Sequence, residues 1–308
     1  MELKDIYYFQ DDIDRAYQIS QEIWDSQKAL QWHWFFDMTD ILVTQGKIQE
    51  AIDQIEAVLN ERKSLLDDSD LRSFHYELGA RYLSVGKPVL AINIFKKATD
   101  LLNIDESAMQ SDEPLFSYQA NSLRESFFWE ALSYTELGKL EEAESVVEKM
   151  KRLTPVTVKN VFQHMILFIE GKISLERDDL SEAVKNFELA YSSMFKQESM
   201  ELDNNLWGYI RHALYLNELA QAYLESGNLE KAMGTYEDIT ELTIGRYYWG
   251  DIYARSYYML GKIHEQLDNT AKAIEQYEKF LSLWKDADPD LPEVGDAKKR
   301  LARISSQS

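Results

Sequence analysis

Six alanines, Ala51, Ala91, Ala143, Ala183, Ala232 and Ala273, each follow another small residue by twelve positions. Their partners are Thr39, Gly79, Ala131, Gly171, Ala220 and Gly261, and a turn residue lies between: Gly46, Gly86, Gly138, Asp178, Gly227 or Asp268. Small side chains on both sides of a turn let two antiparallel helices approach closely. A single helical pair of this kind cannot bury its apolar face alone, so successive pairs must stack. The pattern therefore predicts an all-α chain built by repetition rather than around one globular core.

Number the repeat so that the first small residue is position 8 and the alanine is position 20. Position 11 then reads Leu42, Tyr82, Tyr134, Ser174, Tyr223 and His264, and position 24 reads Ile55, Phe95, Val147, Phe187, Tyr236 and Tyr277. Large residues three or four places from small ones share a helix face and fill the space that the small ones open. This small–large order, with the Tyr257-to-Gly261 run, resembles the tetratricopeptide repeat. The spacing departs from that family. Successive position-20 alanines are 40, 52, 40, 49 and 41 residues apart, against about 34 in the standard repeat. Longer helices and two inserted loops, near 103–117 and 195–206, account for the excess.

The resemblance implies a right-handed α-solenoid of about six helix pairs, a single domain over 1–308. Its expected parts are a partial repeat over 1–26, repeats over 27–66, 70–102, 118–154, 158–195, 207–244 and 250–286, and a capping helix over 292–305. The opening segment aligns with the run from Lys262 to Ala273 at an offset of 257, which sets Asp11 on Asp268 and Ala16 on Ala273, so the chain reads as beginning partway through a repeat. A chain cut from a longer polypeptide, or a worn terminal cap, would each give that. At the far end Val294, Ala297, Leu301 and Ile304 fall on one side of a final helix, as a solenoid's closing element requires. The segment from Ser256 to Ile304 is similar to tetratricopeptide tails of large bacterial signalling proteins such as serine/threonine kinases.

Composition narrows the partners. With 54 acidic and 33 basic side chains the net charge is −21, a field that repels a phosphate backbone, so nucleic acid is not expected. Cysteine is absent, which excludes disulfides and thiolate metal sites and suits a cytoplasmic location. No apolar run approaches membrane-spanning length. Five Gly-Lys dipeptides, at Gly46, Gly86, Gly138, Gly171 and Gly261, lack the flanking residues of a phosphate loop. The five histidines show no zinc-ligand spacing, and the acidic pairs Glu141-Glu142 and Asp178-Asp179 sit where they cap helices. No cofactor and no catalytic residue is expected, and the chain reads as a non-enzyme.

In tetratricopeptide repeats positions 2, 5, 9, 12 and 13 of the first helix face the concave side. By that resemblance position 5 contributes Phe36, Tyr76, Phe128, Phe168, Asn217 and Tyr258, five of them aromatic. Either tyrosine and phenylalanine pack there between adjacent first helices, or they form a rail for a partner's peptide or helix. Positions 9 and 2 add the neutral amide Gln221 and three cations, Lys172, Lys262 and Arg255, able to receive a carboxylate. The carboxylate clamp of chaperone-binding members is not matched, since Asn217 is followed one turn on by Gln221. The expected function is a non-catalytic scaffold holding a protein or peptide in this groove, as the interaction tail of a larger regulator. The alternative is a sensory module closing on a signalling peptide or small ligand.

Overall fold

The computed structural model describes residues 3–27, 32–102, 118–154, 159–195, 212–242, 246 and 248–306. Among them are fifteen α-helices, one 3-10 turn at Lys63–Leu65, and no strand. The helices are α1 Leu3–Phe9, α2 Ile13–Gln27, α3 Trp32–Thr44, α4 Ile48–Glu61, α5 Asp68–Ser84, α6 Pro88–Asp100, α7 Tyr118–Glu136 and α8 Leu140–Leu153. They continue as α9 Lys159–Glu176, α10 Leu180–Phe195, α11 His212–Glu225, α12 Leu229–Glu241, α13 Gly250–Gln266, α14 Thr270–Leu283 and α15 Pro292–Ser305. Both expected inserted loops lie outside the described residues.

Every turn residue named from the sequence adopts a left-handed backbone. Gly46, Gly86, Gly138 and Gly227 have φ between 66° and 78°, while Asp178 and Asp268 lie at 61° and 57°. A seventh, Asp11 at 61°, occupies the place the opening segment's alignment assigns to it. The reason is a recurring helix stop. Lys47 N–H donates to Leu42 O at 2.9 Å and Gly46 N–H to Val43 O at 3.0 Å, and the same pair of bonds recurs at Gly86–Lys87, Gly138–Lys139, Asp178–Asp179, Asp268–Asn269 and Asp11–Asp12. These bonds satisfy the last carbonyls of the first helix and require φ > 0 at one residue, where glycine is free of strain and aspartate tolerable. The Gly-Lys dipeptides at Gly46, Gly86 and Gly138 are therefore helix stops.

In three hairpins the glycine at position 8 faces the aromatic ring at position 24. A Cβ added to Gly171 would lie 2.7 Å from the Phe187 ring, and one added to Gly261 would lie 2.6 Å from the Tyr277 ring. Gly79 meets Phe95 in the same way. All six position-20 alanines are 0% exposed, so the twelve-residue pairing marks the hairpin seam.

The chain falls into two compact units. One comprises residues 55–205 and 221–227; the other comprises 1–54, 206–220 and 228–308. In the first unit α5 to α10 stack as successive hairpins. In the second, the opening helices pack against the last repeats, and α3 lies beside α13. The capping helix α15 covers α14, burying Ala297 and Ile304.

Candidate interaction surface

Position 5 is mostly mortar. In the first unit Phe128 and Phe168 are each 0% exposed, their ring centroids 5.6 Å apart, and Phe168 lies 5.6 Å from Phe187. These rings join α7 to α9 and are not open to a visitor. Tyr76 is half-buried, and its hydroxyl donates to Ser122 O on α7 at 3.2 Å. The expected exposed aromatic rail is thus corrected at its centre: stacked first helices approach closely enough to consume the rings between them. Lys172 is 7% exposed and pairs with Glu136 of the preceding first helix at 2.8 Å. Gln221 is exposed, its amide donating to Glu225 at 3.0 Å.

In the second unit the capping helix claims two further candidates. The Tyr258 hydroxyl donates to Asp296 at 2.7 Å, and Arg255 donates to Glu293 at 2.9 Å and Asp251 at 2.8 Å. Burial and the adjoining Asp296 raise the Tyr258 pKa, so the phenol keeps its proton. Arg255, expected to receive a ligand carboxylate, receives one from the chain itself. Phe36, Asn217 and Lys262 remain half-buried; the Lys262 ammonium lies 5.4 Å from the Tyr258 ring centre.

The same unit holds a clasp that the repeat pattern does not announce. Asp11, in the left-handed turn after α1, accepts from Arg246, from Lys279 at 2.5 Å and from the Tyr253 hydroxyl at 3.2 Å. The Arg246 guanidinium lies over the rings of Tyr253, Tyr8 and Phe9 at 4.1, 5.1 and 5.8 Å. Tyr8 is wholly buried, contacting Thr44 Oγ1 at 2.9 Å and donating to Arg246 O at 3.0 Å. Burial alone would raise the Asp11 pKa, but the Lys279 hydrogen bond and the Arg246 charge more than offset it and hold the carboxyl below its usual range.

The Leu283-to-Pro289 run docks beside this clasp. Asp288 accepts from Gln49 N–H at 2.8 Å and its own N–H donates to Gly46 O at 3.0 Å. It therefore caps α4 from a distance of 239 residues in sequence. Any side chain on Gly46 would meet Ala287 at 2.7 Å and Trp284 at 2.9 Å. Lys285 pairs with Asp14. The opening partial repeat is thus tied to the last one through Asp11 and Asp14. Asp11's alignment with Asp268 was the only sequence cue.

Comparison with known proteins accords with this architecture. Residues 213–243 and 254–283 match the tetratricopeptide repeat family. Tetratricopeptide repeats are thus matched over these two segments of the chain. A further stretch, 132–153, matches the PPR repeat. The yeast heat shock protein STI1 (Saccharomyces cerevisiae) is 29% identical over 120 residues, which are 38% of this chain and only 20% of that protein. Among solved structures, a STAND signal-transduction ATPase with a tetratricopeptide repeat sensor, from Pyrococcus horikoshii, aligns with a TM-score of 0.50 and 17% identity. That alignment covers 96% of this chain and 46% of that one. A tetratricopeptide repeat protein from Parabacteroides merdae gives 0.47 and 16%, over 98% and 96% of the two chains. Tetratricopeptide repeats generally mediate protein–protein interaction. Among the described residues no helix is long and apolar enough to cross a membrane, and no group of three or more His, Asp or Glu is placed to hold a metal.

Proposed function

We propose that this chain is a non-catalytic scaffold that binds a protein or peptide through the first helices of its repeats. The observation that carries this is the state of Asn217, Gln221 and Lys262, at positions 5 and 9 of the two family-matched repeats. Asn217 and Lys262 are half-buried and Gln221 is exposed. Asn217 and Lys262, within one compact unit, offer an amide and an ammonium group, which suits recognition of an extended polar segment. Half-buried Phe36, in the same unit, adds apolar contact at the corresponding position of another first helix. The similarity of Ser256–Ile304 to tails of bacterial signalling proteins supports a place as the interaction segment of a larger cytoplasmic regulator.

The test uses the full chain as bait, with the recovered partner then purified and its affinity measured by calorimetry. Gln221→Arg and Lys262→Glu, both accessible and outside the core, are expected to weaken binding by tenfold or more. Unchanged affinity in both variants, with helicity intact by circular dichroism, would refute the assignment of these helices as the binding surface.

A further inference from the structure

Position 1 of three successive first helices carries a basic residue: Arg72 on α5, Arg124 on α7 and His164 on α9. All three are buried, at 6%, 0% and 5% exposure, within one unit. Arg72 donates to Ser69 Oγ at 3.2 Å. Arg124 is different. Its Nη1 donates to Asn121 Oδ1 at 3.1 Å and its guanidinium stacks over the Phe162 ring at 4.4 Å. Its Nε and Nη2 are shut off from water and have no hydrogen-bond partner among the described residues.

A guanidinium presents five N–H donors, and Nε with Nη2 forms the side-on edge whose two parallel N–H bonds match the two oxygens of a carboxylate. Those are the two nitrogens left empty. Burial pushes the Arg124 pKa down to about 10, still well above neutrality, so the group is a cation at physiological pH. Neutral Asn121 and an aromatic face solvate it only in part. A buried cation lacking its counter-charge costs several kcal/mol, and an unsatisfied buried donor pair of this kind calls for an explanation. In a chain of net charge −21, this wholly buried arginine has no carboxylate on its Nε/Nη2 edge among the described residues.

We propose that the Nε/Nη2 edge of Arg124 is a receptor for one carboxylate, an acidic side chain of the bound partner. This names the partner's chemistry and rests on the scaffold role proposed above. The Phe162 face holds the fork in plane, and Asn121 fixes its rotation through Nη1. Because the edge is enclosed, the carboxylate enters by local opening of the side chains around it.

Acetate is the probe, being small enough to enter without a partner. The full chain is melted in 0.1 M sodium acetate and in sodium chloride of equal ionic strength, alongside Arg124→Met, which keeps the apolar stem over Phe162. Acetate is expected to raise the wild-type melting temperature by about 2–4 °C over chloride and to leave Arg124→Met unchanged. Equal shifts in both proteins, or none in the wild type, would overturn the receptor. A larger effect of phosphate than of acetate would overturn the carboxylate assignment. Should Arg124→Met fail to fold, the arginine Nε–H resonances of the wild type decide: one must move saturably on acetate addition, and a static spectrum refutes the site. Acetate binding in the presence of unaltered partner affinity for Gln221→Arg and Lys262→Glu would separate failure of the proposed surface from failure of this receptor.

Discussion

Replacing Gly171 by alanine sets two opposing effects against each other, and the structure decides the sign. Gly171 lies inside α9, where alanine is intrinsically favoured over glycine by about 1 kcal/mol. Its new Cβ, however, would stand 2.7, 2.8 and 3.1 Å from three atoms of the Phe187 ring. That ring is 1% exposed and also packed on Phe168, so it has little room to retreat. Overpacking of this kind costs roughly 1–3 kcal/mol, and three simultaneous close contacts on a confined ring place it near the top. The expected net loss is therefore about 2 kcal/mol. The neighbouring hairpin suggests the remedy, for Ala131 on α7 occurs with Val147 on α8. Gly171→Ala combined with Phe187→Val should thus lose less than the two single changes summed, with a coupling of about 1–2 kcal/mol. Pairing by size is not absolute, since Ala220 occurs with Tyr236, so the contact distance and not the residue type carries the argument. Urea unfolding followed by circular dichroism on all four proteins measures the cycle. A Gly171→Ala protein more stable than its parent by about 1 kcal/mol would show that helix propensity rules and that the seam is looser than described.

Four further outcomes follow from the second unit. Asp11→Ala removes the carboxylate beneath Arg246, Lys279 and Tyr253; with Asp11 part-exposed, a loss of about 1–3 kcal/mol is expected, read as faster amide exchange in α1 and α2. Because the folded Asp11 pKa is lowered, its stabilisation is complete above the ordinary carboxylate range and lost only as pH falls through the depressed value, so Asp11→Asn should flatten the acid limb of the stability profile. Asp288→Ala uncaps α4 and should cost about 1 kcal/mol, checked by thermal melting. His264 has its pKa lowered by burial, with Lys272 adding to the effect and Glu237 and Glu275 opposing it. Unfolded His264 therefore takes up a proton first, stability falls as pH drops below about 6.5, and His264→Gln should lessen that fall.

Much of the hairpin architecture was legible because it is local. The helix stop at Gly46 or Asp178 needs only a residue that accepts φ > 0, and the fit of Gly171 to Phe187 spans sixteen positions. Position 5 was legible only in part. Its aromatic character is plain in Phe128 and Phe168, yet whether a ring is wall or mortar depends on how closely α7 and α9 approach, which periodicity does not encode. Arg255 and Tyr258 misled for a related reason: their partners Glu293 and Asp296 sit on a capping helix whose seating is set by tertiary packing. The Asp11–Arg246 contact joins residues 235 apart, beyond any repeat period, and Arg246 belongs to no repeat position at all.

An array of stacked hairpins ordinarily frays from its extremities, where each terminal element has a neighbour on one side only. Here α1 to α3 have a second neighbour in the last repeats, so the beginning of the chain is braced by its end. During synthesis the opening helices must accordingly wait, with Tyr8 and its surroundings uncovered, until some 240 residues later Arg246 and Tyr253 leave the ribosome.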